Sequence, residues 1–226
     1  MRPWYEFCLR AAASILWLLG YPRVVGREHL PRDRGFILAS NHFSFLEAPV
    51  LAVASWQEVA FLAKLQLFRI PVLGRLIASL NAIPINRGST DVSGLNAAAA
   101  LLRSGRSLIV FPEGGRNKTG RLREAKGGIG YLVLESGVPV VPAYVRNTDH
   151  ILKCALRKAK ITVAFGPPLE PDPELLKLER KEAHRRVGRT VMAHIARLEQ
   201  QVLALEAGRG GPRPEANSAP GRVPPG

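Results

Sequence analysis

The sequence is poor in cysteine, in acidic residues and in long apolar runs. Its 226 residues include two cysteines, Cys8 and Cys154, which lie far apart without the spacing of metal ligands. This pattern argues against a disulfide framework and against a zinc site, and indicates two ordinary reduced thiols. The apolar run at residues 11–19 has about half the length of a membrane-spanning helix, and no small-x-small cleavage site follows it.

Acidic residues are outnumbered, with 18 Asp and Glu against 32 Lys and Arg, which gives a formal net charge of +14. Such a charge attracts polyanions, which include nucleic acids, anionic membranes and acidic substrates. The chain has no recognisable nucleic-acid-binding motif and no basic strand interleaved with aromatic residues, so we expect no nucleic-acid partner. The length and the apolar content of 46% are those of one globular domain with a sizeable core.

The first 22 residues combine aromatic, basic and apolar side chains. Trp4, Tyr5 and Trp17 flank an apolar stretch, and Arg2 and Arg10 lie beside it. This composition predicts a membrane-associated helix over residues 1–22, with the aromatic rings at headgroup depth and the arginines facing anionic lipid. The alternative is a helix packed on the core of the domain itself.

Apolar runs of strand length alternate with amphipathic segments over most of the remaining chain. The alternation predicts an α/β fold, with a single domain over residues 23–206 in which helices cover a mixed β-sheet. A charged segment at residues 173–205 is expected to form one long amphipathic helix. Residues 207–226 are Gly, Pro, Arg and small polar side chains, and we expect a disordered tail because they bury too little apolar surface.

His42 and Glu47 stand five positions apart, directly after an apolar run that predicts a strand. A carboxylate at this spacing can orient the imidazole as a general base, and functional residues of α/β sheets follow the carboxyl ends of strands. The sequence Ser44-Phe45-Leu46-Glu47 also matches a capping box. In that alternative Glu47 bonds the Ser44 amide and does not meet the histidine.

A second cluster lies at residues 111–117 and follows the clearest apolar strand pattern. Arg116 offers a bidentate fork that matches phosphate oxygens, and Gly114 and Gly115 let backbone amides approach an anion. The cluster therefore suggests an anion-binding loop. The alternative is a tight turn with a solvated pair between Arg116 and Glu113.

Several motifs occur together in a fixed order. They are Asn41-His42 with Glu47, Leu62 to Gly74, Ile83-Pro84-Ile85-Asn86-Arg87, Phe111-Pro112-Glu113-Gly114-Gly115-Arg116, Lys126-Gly127-Gly128 and Val138-Pro139-Val140-Val141-Pro142. In this order the chain resembles the PlsC-like glycerolipid acyltransferases of the 1-acyl-sn-glycerol-3-phosphate type over residues 24–170. That family usually carries aspartate where this chain has Glu47.

The resemblance implies transfer of a fatty acyl group from acyl-CoA or acyl carrier protein to the free hydroxyl of lysophosphatidic acid, giving phosphatidic acid. It implies His42 as general base and Glu47 as the carboxylate that orients it, with no metal, no cofactor and no covalent acyl-enzyme. It also implies a membrane-associated protein at the cytoplasmic face of the cell membrane. The residues expected to bind substrate are Asn41, Arg87, Glu113, Gly114, Gly115, Arg116 and Lys126.

One of these expectations carries an alternative. Lys126 precedes a helix start and could direct a cation toward the phosphate, or it could be an exposed charge beside a turn. Glu113 is expected to pair with an arginine and fix its geometry. For the whole chain, the alternatives are an acyltransferase for another lysolipid, such as a lyso-aminolipid, and a catalytically impaired lipid-binding homologue.

Overall fold

The computed structural model describes residues 1–20, 22–86, 92–117 and 119–207. The predicted phosphate ligand Arg87 and nearly all of the predicted tail lie outside these described residues. The helices are α1 (Pro3–Leu18), α2 (Glu47–Ser55), α3 (Leu73–Ser79), α4 (Ser93–Arg103), α5 (Gly127–Ser136), α6 (Ile151–Ala155) and α7 (Arg180–Ala207). The strands are β1 (Arg23–Val25), β2 (Ile37–Ser40), β3 (Val59–Lys64), β4 (Ala82–Ile85), β5 (Ser107–Val110), β6 (Val140–Arg146) and β7 (Thr162–Phe165).

The seven strands form a single sheet in the order β1-β7-β6-β2-β5-β3-β4. Strands β2 to β6 pair in parallel, whereas β7 runs antiparallel to β6. The sheet is therefore mixed, and the prediction of a single α/β domain is confirmed. The parallel part places the carboxyl ends of β2, β5 and β6 side by side at one edge.

Side chains that alternate along the strands serve two hydrophobic cores, one on each face of the sheet. In β2, Ile37 and Ala39 face the core formed with α4, α5 and α7. Leu38 faces the opposite core, which α1 and α2 complete. Because a strand buried on both faces needs apolar side chains at every position, its sequence is a continuous apolar run.

One helix prediction was wrong in its extent. The segment predicted as one helix over residues 173–205 begins as a 3₁₀ turn at Pro173–Lys177, in which the Asp172 carboxylate accepts from the Glu174 amide. Helix α7 then starts separately at Arg180.

Helix α1 has one buried face and one exposed face. Tyr5, Leu9 and Leu16 pack on the core beside α2, as the core-packing alternative expected. The opposite face leaves Phe7 63% exposed and Trp17 69% exposed. Within the described residues, no helix combines the length and the apolarity that crossing a membrane requires.

Candidate active site

The two clusters singled out in the sequence meet at the carboxyl edge of the sheet. His42 follows β2, the loop at residues 111–117 follows β5, and Thr148 follows β6. Because β2 lies between β5 and β6, side chains from all three connections converge there. Open α/β sheets bind ligands at this edge.

The His42 imidazole is fixed on two sides. Its Nδ1 lies 2.8 Å from Glu47 Oε2, and its ring stacks on Phe111 with a centroid distance of 3.8 Å. An ionised carboxylate only accepts hydrogen bonds, so Nδ1 carries the hydrogen, and in the neutral form of the ring the lone pair is then on Nε2. No residue that the structure describes hydrogen-bonds to Nε2, which leaves that atom available as a base.

Glu47 uses its two carboxylate oxygens differently. Oε2 accepts from His42, while Oε1 accepts from the amides of Phe43 (2.8 Å) and Ser44 (3.1 Å) and from the hydroxyl of Thr148 (3.0 Å). The histidine pairing and the bond to the Ser44 amide were alternatives in the sequence, and the structure contains both, although α2 begins at Glu47 itself and no side chain caps it at Leu46. The side chain of Glu47 is fully buried, so these four donors replace its hydration.

Asn41 was predicted to bind substrate, and the structure places its side chain against the backbone of β6. Its Nδ2 donates to the Val145 carbonyl and its Oδ1 accepts from the Val145 amide, both at 2.8 Å. The amide thus continues the β2–β6 ladder by one more pair, and Asn41 is fully buried. These contacts support the strands beneath His42 and present no polar group to an open site.

Glu113 pairs with an arginine, as expected, but the partner is Arg123. Its Oε2 accepts from Arg123 Nε at 3.0 Å and from Asn117 Nδ2 at 2.9 Å, and its Oε1 accepts from the His42 amide at 3.3 Å. The backbone amide of Asn117 in turn donates a hydrogen bond of 2.7 Å to the His42 carbonyl. The buried carboxylate therefore links the loop after β5 to the backbone of His42, which leaves Arg116 unengaged by Glu113.

The glycines shape the loop around Lys126. Gly114 adopts φ +72°, and a Cβ there would lie 2.6 Å from Cδ of Lys126, so the aliphatic chain of Lys126 crosses directly over it. The Gly115 carbonyl accepts from Arg123. The amides of Gly115 and Arg116 make no hydrogen bond to any of the described residues, and they can bind an anion.

Arg116 is exposed, and its guanidinium lies over the Phe45 ring at 3.4 Å from the centroid. The ring orients the cation without neutralising it. Arg116 and Lys126 thus border one loop at which backbone amides are also free. Arg87, the other predicted phosphate ligand, lies outside the described residues.

Sequence reasoning did not single out Thr148, Phe111, Arg123 or Phe45 as parts of the site. Phe111 and Phe45 lie within motifs that the sequence analysis named. Their position beside the polar residues of those motifs could have indicated that they belong to the site. Thr148 lies 101 residues from its partner, and Arg123 lies 10 residues from its partner in a segment without a motif.

Comparison with known proteins gives one consistent answer. A family model described as Acyltransferase matches residues 22–146. The chain is 29% identical to the 1-acyl-sn-glycerol-3-phosphate acyltransferase of Bacillus subtilis, over 73% of this chain and 82% of that protein. It is 34% identical to the chloroplastic 1-acyl-sn-glycerol-3-phosphate acyltransferase BAT2 of Brassica napus, over 67% of this chain, and spans 45% of that longer relative.

A solved structure also resembles this fold. The crystal structure of the 1-acyl-sn-glycerophosphate acyltransferase PlsC from Thermotoga maritima superposes with a TM-score of 0.61 and 28% sequence identity. The match covers 84% of this chain and 80% of that chain.

Proposed function

The chain belongs to the PlsC-like acyltransferase family, and from this premise we propose that it acylates the free hydroxyl of 1-acyl-sn-glycerol-3-phosphate, using an acyl thioester as donor. The observation that carries the proposal is the His42–Glu47 pair at 2.8 Å, whose imidazole keeps Nε2 free at the carboxyl edge of the sheet. The product is phosphatidic acid, an intermediate of phospholipid synthesis.

In the proposed reaction, the substrate hydroxyl oxygen attacks the thioester carbonyl carbon while His42 Nε2 takes the hydroxyl proton. The new C–O bond forms, the C–S bond breaks, and the departing sulfur takes the proton back from the imidazolium. Glu47 stabilises that imidazolium through Nδ1. Phe111 and the four bonds of Glu47 hold the ring in place, so little reorganisation is needed during the reaction.

The acceptor phosphate is assigned to the loop after β5. Arg116 supplies a guanidinium held over Phe45, and Lys126 supplies a second cation from across Gly114. The unbonded amides of Gly115 and Arg116 add directional donors. Arg87 is proposed as a further phosphate ligand on the strength of its motif alone.

Membrane association at the cytoplasmic face is part of the proposal. The exposed face of α1 carries large apolar side chains, including Trp4, Phe7, Ile15, Trp17 and Leu18. This face suits partial burial at a lipid interface, and the net charge of +14 favours anionic lipid.

The test of the reaction is to incubate the purified protein with detergent-dispersed lysophosphatidic acid and a panel of acyl-CoA and acyl-carrier-protein donors. Phosphatidic acid is followed by mass spectrometry. We expect product from the parent protein and from His194→Ala, a histidine variant on α7, and at least a 100-fold lower rate from His42→Ala. Undiminished transfer by His42→Ala would refute the mechanism, and absence of product with every donor would refute the proposed reaction.

The test of membrane association is flotation with vesicles that contain an anionic phospholipid. Trp17→Ser combined with Leu18→Ser is expected to lower the bound fraction. Leu176→Ser is the matched control, because Leu176 is equally exposed on the 3₁₀ turn before α7. Equal flotation of the α1 variant and the control would contradict this part of the proposal.

A further inference from the structure

A separate cavity of about 600 Å³ lies between the segment that precedes α5 and the first half of α7. Ala125 and Gly127 line one side, and Lys181, Arg185 and Arg189 line the other. Ligand-binding clefts commonly have volumes of about 300–1,000 Å³. The acyl-transfer mechanism described above does not use this cavity.

The cavity is positively charged. Lys181, Arg185 and Arg189 follow one another at intervals of four, which puts them on one face of α7. Arg189 is paired with Glu182, but no carboxylate among the described residues forms an ion pair with Lys181 or Arg185. Among the described residues of the lining, Glu124 is the single acidic side chain, so the cations there are in excess.

His184 adds an unsatisfied polar atom to the same wall. Its Nε2 is buried and has no hydrogen-bond partner among the described residues. Burial, together with the neighbouring Arg180 cation, lowers the pKa of His184, so the ring is neutral near pH 7. The ring therefore adds no charge to this wall, and the excess positive charge comes from the lysine and the arginines.

The cavity is connected to the candidate active site through one short segment. The amide of Lys126 bonds the Pro112 carbonyl at 2.8 Å, and its side chain crosses Gly114 in the anion-binding loop. The residues on either side of Lys126, Ala125 and Gly127, line the cavity. Lys126 therefore lies between the cavity and the loop beside His42, and a ligand that reached both would pass this residue.

We infer that this cavity holds the phosphate-bearing nucleotide end of an acyl-CoA donor. The inference rests on the proposed acyl transfer and specifies its donor. The nucleotide end of CoA carries several phosphates in a small volume, which suits the cations Lys181 and Arg185 in the cavity wall. The backbone amides at the start of α5 add hydrogen-bond donors for an anion.

The first test measures binding without turnover. Isothermal titration with CoA and with 3′,5′-ADP is made on the parent protein, on Lys181→Ala/Arg185→Ala, and on Lys153→Ala/Arg197→Ala. The last pair removes one exposed lysine and one exposed arginine away from the cavity, and no described carboxylate forms an ion pair with either. We expect about 10-fold weaker binding or more in the cavity variant alone, and equal binding in all three proteins would overturn the inference.

The second test measures donor selectivity. Acyl-pantetheine has the same thioester but no nucleotide, so the ratio of kcat/KM for acyl-CoA to kcat/KM for acyl-pantetheine is expected to fall about 10-fold in Lys181→Ala/Arg185→Ala. A selective loss with acyl carrier protein, and not with acyl-CoA, would assign the cations to carrier docking and overturn the inference.

The two proposals fail separately. His42→Ala is expected to lose transfer and to keep CoA binding. If the parent protein bound no CoA and still transferred acyl groups from a carrier protein, the proposed function would stand and the nucleotide site would be refuted.

Discussion

The hydroxyl of Thr148 donates a hydrogen bond of 3.0 Å to Glu47, across 101 positions of the chain. It reaches Oε1, the oxygen that also accepts from the amides of Phe43 and Ser44, while Oε2 of the same carboxylate accepts from His42. The orientation of the proposed general base therefore depends on the connection after β6, which contributes no residue to the motif at His42 and Glu47.

Glu47→Gln leaves the side chain with one accepting oxygen in place of the two that now serve His42 and the three other donors. The amide has one acceptor, so its NH₂ group faces either Nδ1–H of His42 or the three donors at Oε1. We expect kcat to fall about 100-fold or more, because the histidine loses the tautomer that keeps Nε2 unprotonated. Steady-state kinetics with lysophosphatidic acid and a fixed donor measures this loss.

Glu47→Asp is the companion variant, since it keeps the charge but withdraws the carboxylate by one methylene. Its kcat is expected to lie between that of the parent and that of the glutamine variant, because the shorter side chain cannot reach His42 and all three other donors at once. Activity of Glu47→Gln equal to the parent would mean that Glu47 only caps the helix.

Thr148→Val keeps the shape of the side chain and removes the hydroxyl donor. We expect kcat to fall about 5- to 10-fold with little change in the KM of the acceptor, because one of the bonds that hold the carboxylate is lost. Thr148→Ser retains the hydroxyl and is expected to restore activity. A fall in unfolding free energy with kcat unchanged in Thr148→Val would limit Thr148 to a structural role.

Asn41→Ala separates strand support from substrate binding. The change leaves the amide and carbonyl of Val145 without their partners, and we expect the unfolding free energy to fall by about 2–4 kcal/mol. Urea denaturation followed by circular dichroism measures it. A raised KM for lysophosphatidic acid with unchanged stability would instead support the substrate contact that the family resemblance suggests.

Arg123→Ala tests the support beneath the loop after β5. The change leaves the buried Glu113 carboxylate with two donors, the His42 amide and Asn117, and we expect about 1–2 kcal/mol lower stability together with a lower kcat. Arg121→Ala is the matched control, because the structure gives the Arg121 side chain no partner among the described residues. Equal stability and equal kcat in the two variants would contradict the role assigned to Arg123.

Much of the fold could be predicted because it follows from the local pattern of apolar and polar residues. The continuous apolar runs at β2 and β5 indicated buried strands, and the polar clusters after them indicated the edge at which a site forms. The boundary between the turn at Pro173–Lys177 and α7 was missed because both segments share one amphipathic pattern, and tertiary packing decides where the chain changes direction.

The sequence by itself determined the α/β class, the family and the residues proposed to carry the chemistry, since these depend on residue type and short spacing. Only the tertiary structure decided the partners of those residues. Asn41 meets Val145, Glu47 meets Thr148 and Glu113 meets Arg123 because β2 lies between β5 and β6 and because the loop after β5 folds back on itself. Strand order depends on packing between distant segments, and no local spacing in the chain encodes it.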